Sequence, residues 1–477
     1  MNRRQFLFAA PGAPLLVASA GQSPYSICVP GGASPSQRRA AGELQRFLGQ
    51  MTGAALPVVE STNGPAIILM STEEFGPEGF RLKTEGQNVV ISGSRRRGAM
   101  YGAYALLERL GCRWYAENCT RVPRVAKLSI PALDEVQRPA FEYREIFITE
   151  ACGKDWAARN RLNGNHTELD ASTGGKIVYY PFGHSFYKLV PPEQYYAAHP
   201  EYFALVGGER RASNAQLCLS NPDVLRIATD GVLRWAVEHP EANVFSVAQN
   251  DEDAWCECDP CRRIEEEEGA HSGPILRFVN AIAAEVSRKY PDKYIDTFAY
   301  RYSQRPPRKV RAHPNVRVRF APICACQAHP YETCPQNKFV IDDLRGWARV
   351  SDKLYVWHYI TNFNQYLAPF PNLDELGVDL AMYHRNHVVG LFLQGARSKG
   401  GGGELAELRS WMLARLLWDP SLDPNALVRE FLHGYYGAAA PAMQEYLDLE
   451  HHEVRLPPRG LGKSMFLYRE PAFSAAL

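Results

Sequence analysis

Two hydrophobic rhythms divide the chain. Between residues 36 and 52 the apolar side chains Leu44, Phe47, Leu48 and Met51 recur at three- and four-residue spacing, one face of a helix. Ser36 is placed to cap its start and Gly53 lies just past its end. The runs 66–70 and 88–92 are short and rich in Ile and Val, which predicts strands. A second helix is expected over 101–110, ended by Gly111, and Pro123 and Pro131 mark an exit linker. Residues 26–132 therefore read as a small α/β domain.

After residue 138 short apolar runs alternate with helical stripes. The runs are 141–148, 243–248, 294–300, 316–321, 354–360 and 388–393, with weaker ones at 178–182 and 202–206. One intervening stripe carries Ile275, Phe278, Val279, Ile282 and Val286. Strands alternating with helices predict parallel β-structure with helical crossovers, and eight of them close a (β/α)8 barrel over 138–400. The tail, 401–477, predicts helices from Leu405, Leu408, Met412 and Leu416, then Leu427, Phe431 and Leu432. His451-His452 is read as surface.

The first twenty residues read as an address. Arg3-Arg4 precede Gln5-Phe6-Leu7, an apolar run reaches Val17, and Ala18-Ser19-Ala20 offers a small-residue cleavage site. That is a signal-peptide pattern of the twin-arginine type, so the protein is expected to be exported, periplasmic or extracellular. Lys and Arg total 53 against 52 Asp and Glu, a formal net charge of +1. Loss of Arg3 and Arg4 with the leader turns +1 into −1, so no basic surplus recruits a nucleic acid. No apolar stretch of about 20 residues occurs beyond the leader, so no membrane span is expected in the mature chain.

Chemistry in a β/α barrel collects at the C-terminal strand ends. Those positions carry Glu150, His184, Asn250-Asp251-Glu252-Asp253, Tyr300-Arg301, His358, Asn362 and Gln394. Carboxylates, amides, an arginine and aromatic rings suit a carbohydrate: amides and Arg bond hydroxyls, and rings cover the apolar sugar face. Glycoside hydrolysis needs a proton donor and a second carboxylate. Asp251 or Glu252 is the expected donor and Glu150 the expected partner, with His184, Asn250, Tyr300, Arg301, His358, Asn362 and Gln394 as substrate-binding residues. Trp255 and Trp357 read as packing rather than sugar platforms. There is no G-x-S-x-G elbow and no P-loop; the four glycines 400–403 form a flexible loop from which a lid can close.

Eleven cysteines include Cys256, Cys258 and Cys261, close enough in sequence to share one Zn²⁺. The fourth ligand would be Cys218 or one of the looser group Cys324, Cys326 and Cys334. Disulfides and free thiols are the alternatives, and a metal here is expected to be structural rather than a required cofactor. A metal-dependent enzyme using the three cysteines, and a binding protein without catalysis, stand as rival readings.

Two resemblances follow. Ala41-Gly42-Glu43-Leu44-Gln45, Met51-Thr52-Gly53-Ala54, Arg97-Gly98, Tyr101-Gly102 and the run Leu106 through Tyr115 resemble the non-catalytic first domain of α-glucuronidases and β-hexosaminidase-like glycoside hydrolases. Gly183-His184-Ser185, His199-Pro200-Glu201-Tyr202-Phe203, Gln216-Leu217-Cys218-Leu219, Asn250-Asp251 with Cys256, Cys258 and Cys261, Trp418-Asp419-Pro420 and Tyr435-Tyr436-Gly437 resemble the bacterial domain-of-unknown-function family 4838. The resemblance implies a barrel related to glycoside hydrolases and action on carbohydrate, without agreed catalytic residues. In the hexosaminidase-like relatives an Asp-Glu pair follows the fourth strand and the substrate's acetamido group is the nucleophile. Asp251-Glu252 stands in a similar place, while the resemblance to α-glucuronidases implies an inverting geometry with separate acid and base, and the sequence leaves both open.

Overall fold

The computed structural model describes residues 13–455 and 465–468, so Arg3 and Arg4 lie outside the described residues. The chain divides into two compact units. The smaller takes the chain through Pro139 together with Gly153–Arg161 and Glu168–Gly175; the larger takes Ala140–Cys152, Leu162–Thr167 and everything from Lys176.

The smaller unit is a six-stranded mixed sheet with two helices. Its order is Asp134–Gln137, Phe80–Glu85, Asn88–Gly93, Ala66–Ser71, Ser26–Cys28 and Val58–Val59. The first helix, Pro35–Thr52, is capped by Ser34 rather than Ser36: the Ser34 hydroxyl accepts the Gln37 N–H and the Gln37 side chain accepts the Ser34 N–H. Pro35 at the first helical position, which lacks the N–H a cap must satisfy, shifts the start. The second helix, Gly98–Arg109, lies close on the sheet, where a Cβ at Gly102 would come within 2.5 Å of Ile91. The short helix Lys154–Arg159 belongs to this unit, and Arg159 forks onto Glu43 at 2.7 and 3.1 Å. Part of the expected leader is also built in. Leu15–Ser19 pairs antiparallel with Lys127–Ile130, and Val17 and Ala18 are buried.

The larger unit holds a curled sheet of seven parallel strands: β1 Tyr143–Phe147, β2 Tyr179–Tyr180, β3 Val244–Ser246, β4 Tyr294–Tyr300, β5 Val316–Ala321, β6 Leu354–Tyr359 and β7 Val388–Gln394. Their spatial order is β1-β7-β6-β5-β4-β3-β2. The eighth expected strand does not join: Leu205–Val206 pairs instead with Glu209–Arg210 as a hairpin. The gap between β1 and β2 is bridged by Leu162–Thr167, which is not a strand. There the Asn163 amide clasps the backbone of Arg144 and Glu142 at 2.8 Å each, and Asn165 Oδ1 accepts the Tyr179 N–H at 2.9 Å. Side-chain amides thus replace part of a ladder.

The barrel interior is charged below its mouth. Arg317 and Arg319 alternate with Val316, Val318 and Phe320 along β5, and all five are buried. Arg317 pairs with Glu142 at 3.0 Å and lies 4.0 Å from the Tyr294 ring. Arg319 pairs with Asp296 on β4 at 3.1 Å, inside a cage of Tyr179, Phe182, Phe298 and Trp357. Burial pushes the Asp296 carboxyl up to about 6 against the pull of Arg319.

Helices Ala406–Trp418, Pro424–Phe431 and Ala440–Arg455 complete the unit, and the Ala140 N–H donates to the Trp418 carbonyl at 3.0 Å. His451 is buried, not exposed: Nδ1 donates to Leu447 and Nε2 accepts the Leu373 N–H. Among the described residues no helix is long and apolar enough to cross a membrane.

Candidate functional site

A cavity of about 300 Å³ opens at the C-terminal ends of β4 to β7. Tyr300, Ala321, Tyr359 and Gln394, the last residues of those four strands, line it. Trp357, Phe298 and Phe363 add apolar ring faces, and Tyr366 and Tyr468 add hydroxyls. His184 follows β2 and Asp251 follows β3. Phe298 and Trp357 face the cavity and also cage Arg319, so the charged interior lies directly against the cavity wall.

Asp251 is the carboxylate among the lining residues. Its loop is pinned from one side by Gln216. The Gln216 side-chain amide donates to the carbonyls of Asn250 and Glu252 at 2.9 and 2.6 Å and accepts the Asn250 N–H at 2.9 Å. From the other side Arg301 reaches Asp251 at 3.5 Å and Asp253 at 2.5 Å. Arg301 reaches both carboxylates from the left-handed backbone conformation (φ 50°). Burial, then the neighbouring Asp251 carboxylate, hold the Tyr300 phenol above its ordinary range. His184 Nδ1 lies 2.5 Å from the Gln249 carbonyl. A carbonyl only accepts, so Nδ1 carries the proton and Nε2 is left as the acceptor. Gln394 Oε1 accepts the Trp357 indole N–H at 2.5 Å and fixes that ring in the wall.

Of the expected residues, Asp251, His184, Tyr300 and Gln394 meet at this cavity, and Arg301 stands behind Asp251. Others are placed elsewhere. Glu252 does not line the cavity; its charge acts on the half-buried Tyr187 phenol, which burial chiefly raises to about 12. Glu150 anchors the glycine loop instead of facing the cavity, its Oε1 accepting the Gly402 N–H at 2.7 Å. Asn250 turns back and donates to the Ala215 carbonyl at 2.8 Å. His358 is buried against the Tyr383 hydroxyl at 3.0 Å, and burial pulls its pKa down to about 3. Asn362 is buried and closes its own turn, accepting the Asn364 N–H at 2.9 Å. Trp357, expected as packing, stands in the cavity wall, while Trp255 packs 4.0 Å from the His271 ring. Phe298, Ile323, Phe363, Tyr366 and Tyr468 were not anticipated. Phe363 and Tyr366 had a sequence signal, aromatic residues just beyond a strand end; Tyr468 had none.

Behind the Asp251 loop four thiols converge. Cys218 joins Cys256, Cys258 and Cys261, all buried, with every sulfur within 4.8 Å of the others. Cys218 and Cys258 are 3.6 Å apart, near the roughly 3.8 Å edge of a tetrahedron with metal–sulfur bonds of about 2.3 Å. The Leu205 N–H and Arg210 Nη1 approach Cys256 at 3.4 and 3.7 Å and offset thiolate charge. Cys218 follows Gln216 by two residues and Cys256 closes the far end of the 250–255 loop, so the cluster draws on both segments that support Asp251.

A family model described as a domain of unknown function, DUF4838, matches residues 114–448, and one described as glycosyl hydrolase family 20, domain 2, matches residues 22–130. No curated protein matches the sequence. Among solved structures, the family GH115 4-O-methyl-α-glucuronidase BtGH115A, with specificity for decorated arabinogalactans, matches with a TM-score of 0.56 at 13% identity. That match covers 92% of this chain but 62% of that one. The GH20 β-N-acetylhexosaminidase from Streptomyces coelicolor matches with a TM-score of 0.52 at 14% identity, over 91% and 94% of the two chains. A mutant Streptomyces plicatus β-hexosaminidase in complex with its product GlcNAc gives 0.51 at 14%, over 91% and 93%. At these identities the likeness concerns the fold.

Proposed function

We propose, from the premise that the chain belongs to the DUF4838 family, that it is a glycoside hydrolase acting on an oligo- or polysaccharide. The observation that carries this reading is one carboxylate, Asp251, set in a cavity walled by Trp357, Phe298 and Phe363 and rimmed by tyrosine hydroxyls. Ring faces cover the apolar side of a sugar, and Gln394, the tyrosines and His184 Nε2 bond its hydroxyls. Asp251 serves as the acid/base at the glycosidic oxygen. Neither Glu252 nor Glu150 is among the described residues that line the cavity. The second catalytic function then falls to the substrate, in the manner of an acetamido group, which makes N-acetylated sugars the first to test. The test is mass spectrometry of an oligosaccharide panel with N-acetylated and uronic-acid sugars, with Asp251→Asn alongside. A product lost in the variant supports the reading; an unchanged product ends it. The lack of a second carboxylate among the described lining residues also favours a second reading, a binding protein without catalysis. That reading predicts saturable glycan binding and no product.

We also propose a structural zinc at Cys218, Cys256, Cys258 and Cys261. Four thiols leave no open position, which suits a structural rather than a catalytic ion. Zinc a thousandfold above its Kd should stabilise the chain by about 4 kcal/mol. Chelation under reducing conditions is expected to lower the unfolding midpoint, and zinc to restore it. A midpoint indifferent to both would remove the proposal.

Export is part of the same reading, supported by Arg3-Arg4 ahead of Gln5-Phe6-Leu7. N-terminal sequencing of the protein recovered outside the cytoplasm is expected to begin downstream of the paired arginines. An intact Met1 in that fraction would contradict it.

A further inference from the structure

A second group of metal-type side chains lies apart from the four thiols. Cys326, His329 and Cys334 bring one ligand atom each to within 4.8 Å of the others. His329 Nδ1 is 3.4 Å from the Cys326 sulfur and 3.8 Å from the Cys334 sulfur. Tetrahedral zinc with bonds of about 2.3 Å to sulfur and about 2.0 Å to nitrogen requires sulfur–nitrogen edges of about 3.5 Å. The two sulfur–nitrogen edges, 3.4 and 3.8 Å, bracket that value.

The histidine is also held in the ligating tautomer. Its Nε2 lies 3.2 Å from the Val454 carbonyl, which can only accept, so the proton sits on Nε2 and Nδ1 is left as the acceptor beside the two sulfurs. A ligating imidazole whose other nitrogen donates to a carbonyl is the usual outer support of a metal site. The loop is fixed as well. The fully buried Asn337 side chain accepts the Cys326 N–H and donates to the Cys326 carbonyl, both at 2.8 Å, and its own N–H donates to the Cys334 carbonyl at 2.9 Å.

We infer that Cys326, His329 and Cys334 form a second zinc site, with three protein ligands and one position left for solvent. Charge supports the stoichiometry. Two thiolates and one divalent cation sum to zero, which suits walls made of Tyr359, Phe370, Val454, Met465 and Leu467. Such a site would clasp three segments. His329 reaches Val454 on the helix Ala440–Arg455, and the Gln327 N–H donates to the Met465 carbonyl at 2.8 Å, next to the segment whose Tyr468 lines the cavity. This inference is independent of the glycosidase reading.

The test uses the full chain, reduced, loaded with zinc chloride alone and freed of excess metal. Cys326→Ser/Cys334→Ser is expected to hold one zinc fewer per chain than the wild type, whatever the wild-type total. Cys256→Ser/Cys258→Ser is expected to keep that equivalent. Should the first variant fold poorly, His329→Gln in the folded protein is expected to weaken one zinc at least tenfold. Zinc is also expected to protect Cys326 and Cys334 of the wild type from alkylation. Equal zinc in wild type and Cys326→Ser/Cys334→Ser, or alkylation of the wild-type pair unaffected by zinc, would overturn the inference. So would a Cys326–Cys334 disulfide that persists in the reduced, zinc-loaded chain.

Discussion

Asp251→Asn is expected to cut turnover by about 10²- to 10⁴-fold on whatever glycoside the protein cleaves, with the unfolding midpoint close to wild type. The size follows from the chemistry removed. An amide keeps the shape and accepts hydrogen bonds but cannot give or take the proton at the glycosidic oxygen. Among the described residues no other carboxylate lines the cavity to substitute for it. The small structural effect follows from exposure: the Asp251 side chain is 59% exposed and its partner Arg301 keeps Asp253 at 2.5 Å. Glu252→Gln and Glu150→Gln serve as controls, expected to stay within about tenfold of wild type, because neither side chain reaches the cavity. If Glu252→Gln proves as damaging as Asp251→Asn, the assignment of the acid is wrong.

Arg319→Ala is expected to destabilise the chain by about 3–5 kcal/mol in urea unfolding. The substitution strands Asp296 in the barrel interior and empties a cage of four rings. Removing both charges, as in Arg319→Met/Asp296→Asn, is expected to cost less than Arg319→Ala alone, because the stranded carboxylate rather than the lost attraction carries most of the penalty. A single variant within about 1 kcal/mol of wild type would mean that water or rearrangement already satisfies Asp296. Since Phe298 and Trp357 also wall the cavity, weaker glycan binding should accompany the loss.

Six of the seven barrel strands were plain in the sequence because each is a short run dominated by apolar or β-branched residues. The eighth was not, because its place is held by Asn163 and Asn165, and a side-chain amide bridging two strand edges leaves no hydrophobic pattern. Position along a strand end was readable; the direction of a side chain there was not. Asn250 and Asp251 are neighbours, yet one turns to the Ala215 carbonyl and the other to the cavity, on a loop whose backbone is held by Gln216 from 34 residues away. His358 lies next to Trp357 and, by strand alternation, faces the helices rather than the mouth. Arg317 and Arg319 carry the opposite lesson. Their alternation with valines suggests a strand with one wet face, but the barrel interior at that level is itself ionic. Cys218 was reachable by counting ligands, whereas the grouping of Cys326 with His329 depends on a turn that spacing alone does not announce.

The chain enters the smaller unit for Gly153–Arg161, leaves it for Leu162–Thr167, and re-enters for Glu168–Gly175. A gene cut at Pro139 would therefore deliver an incomplete fragment, deprived of Arg159, the partner of the nearly buried Glu43. Recombination that swapped one for a homologous counterpart would have to preserve every one of these crossings at once, so the pair is expected to have been inherited as a single evolutionary block.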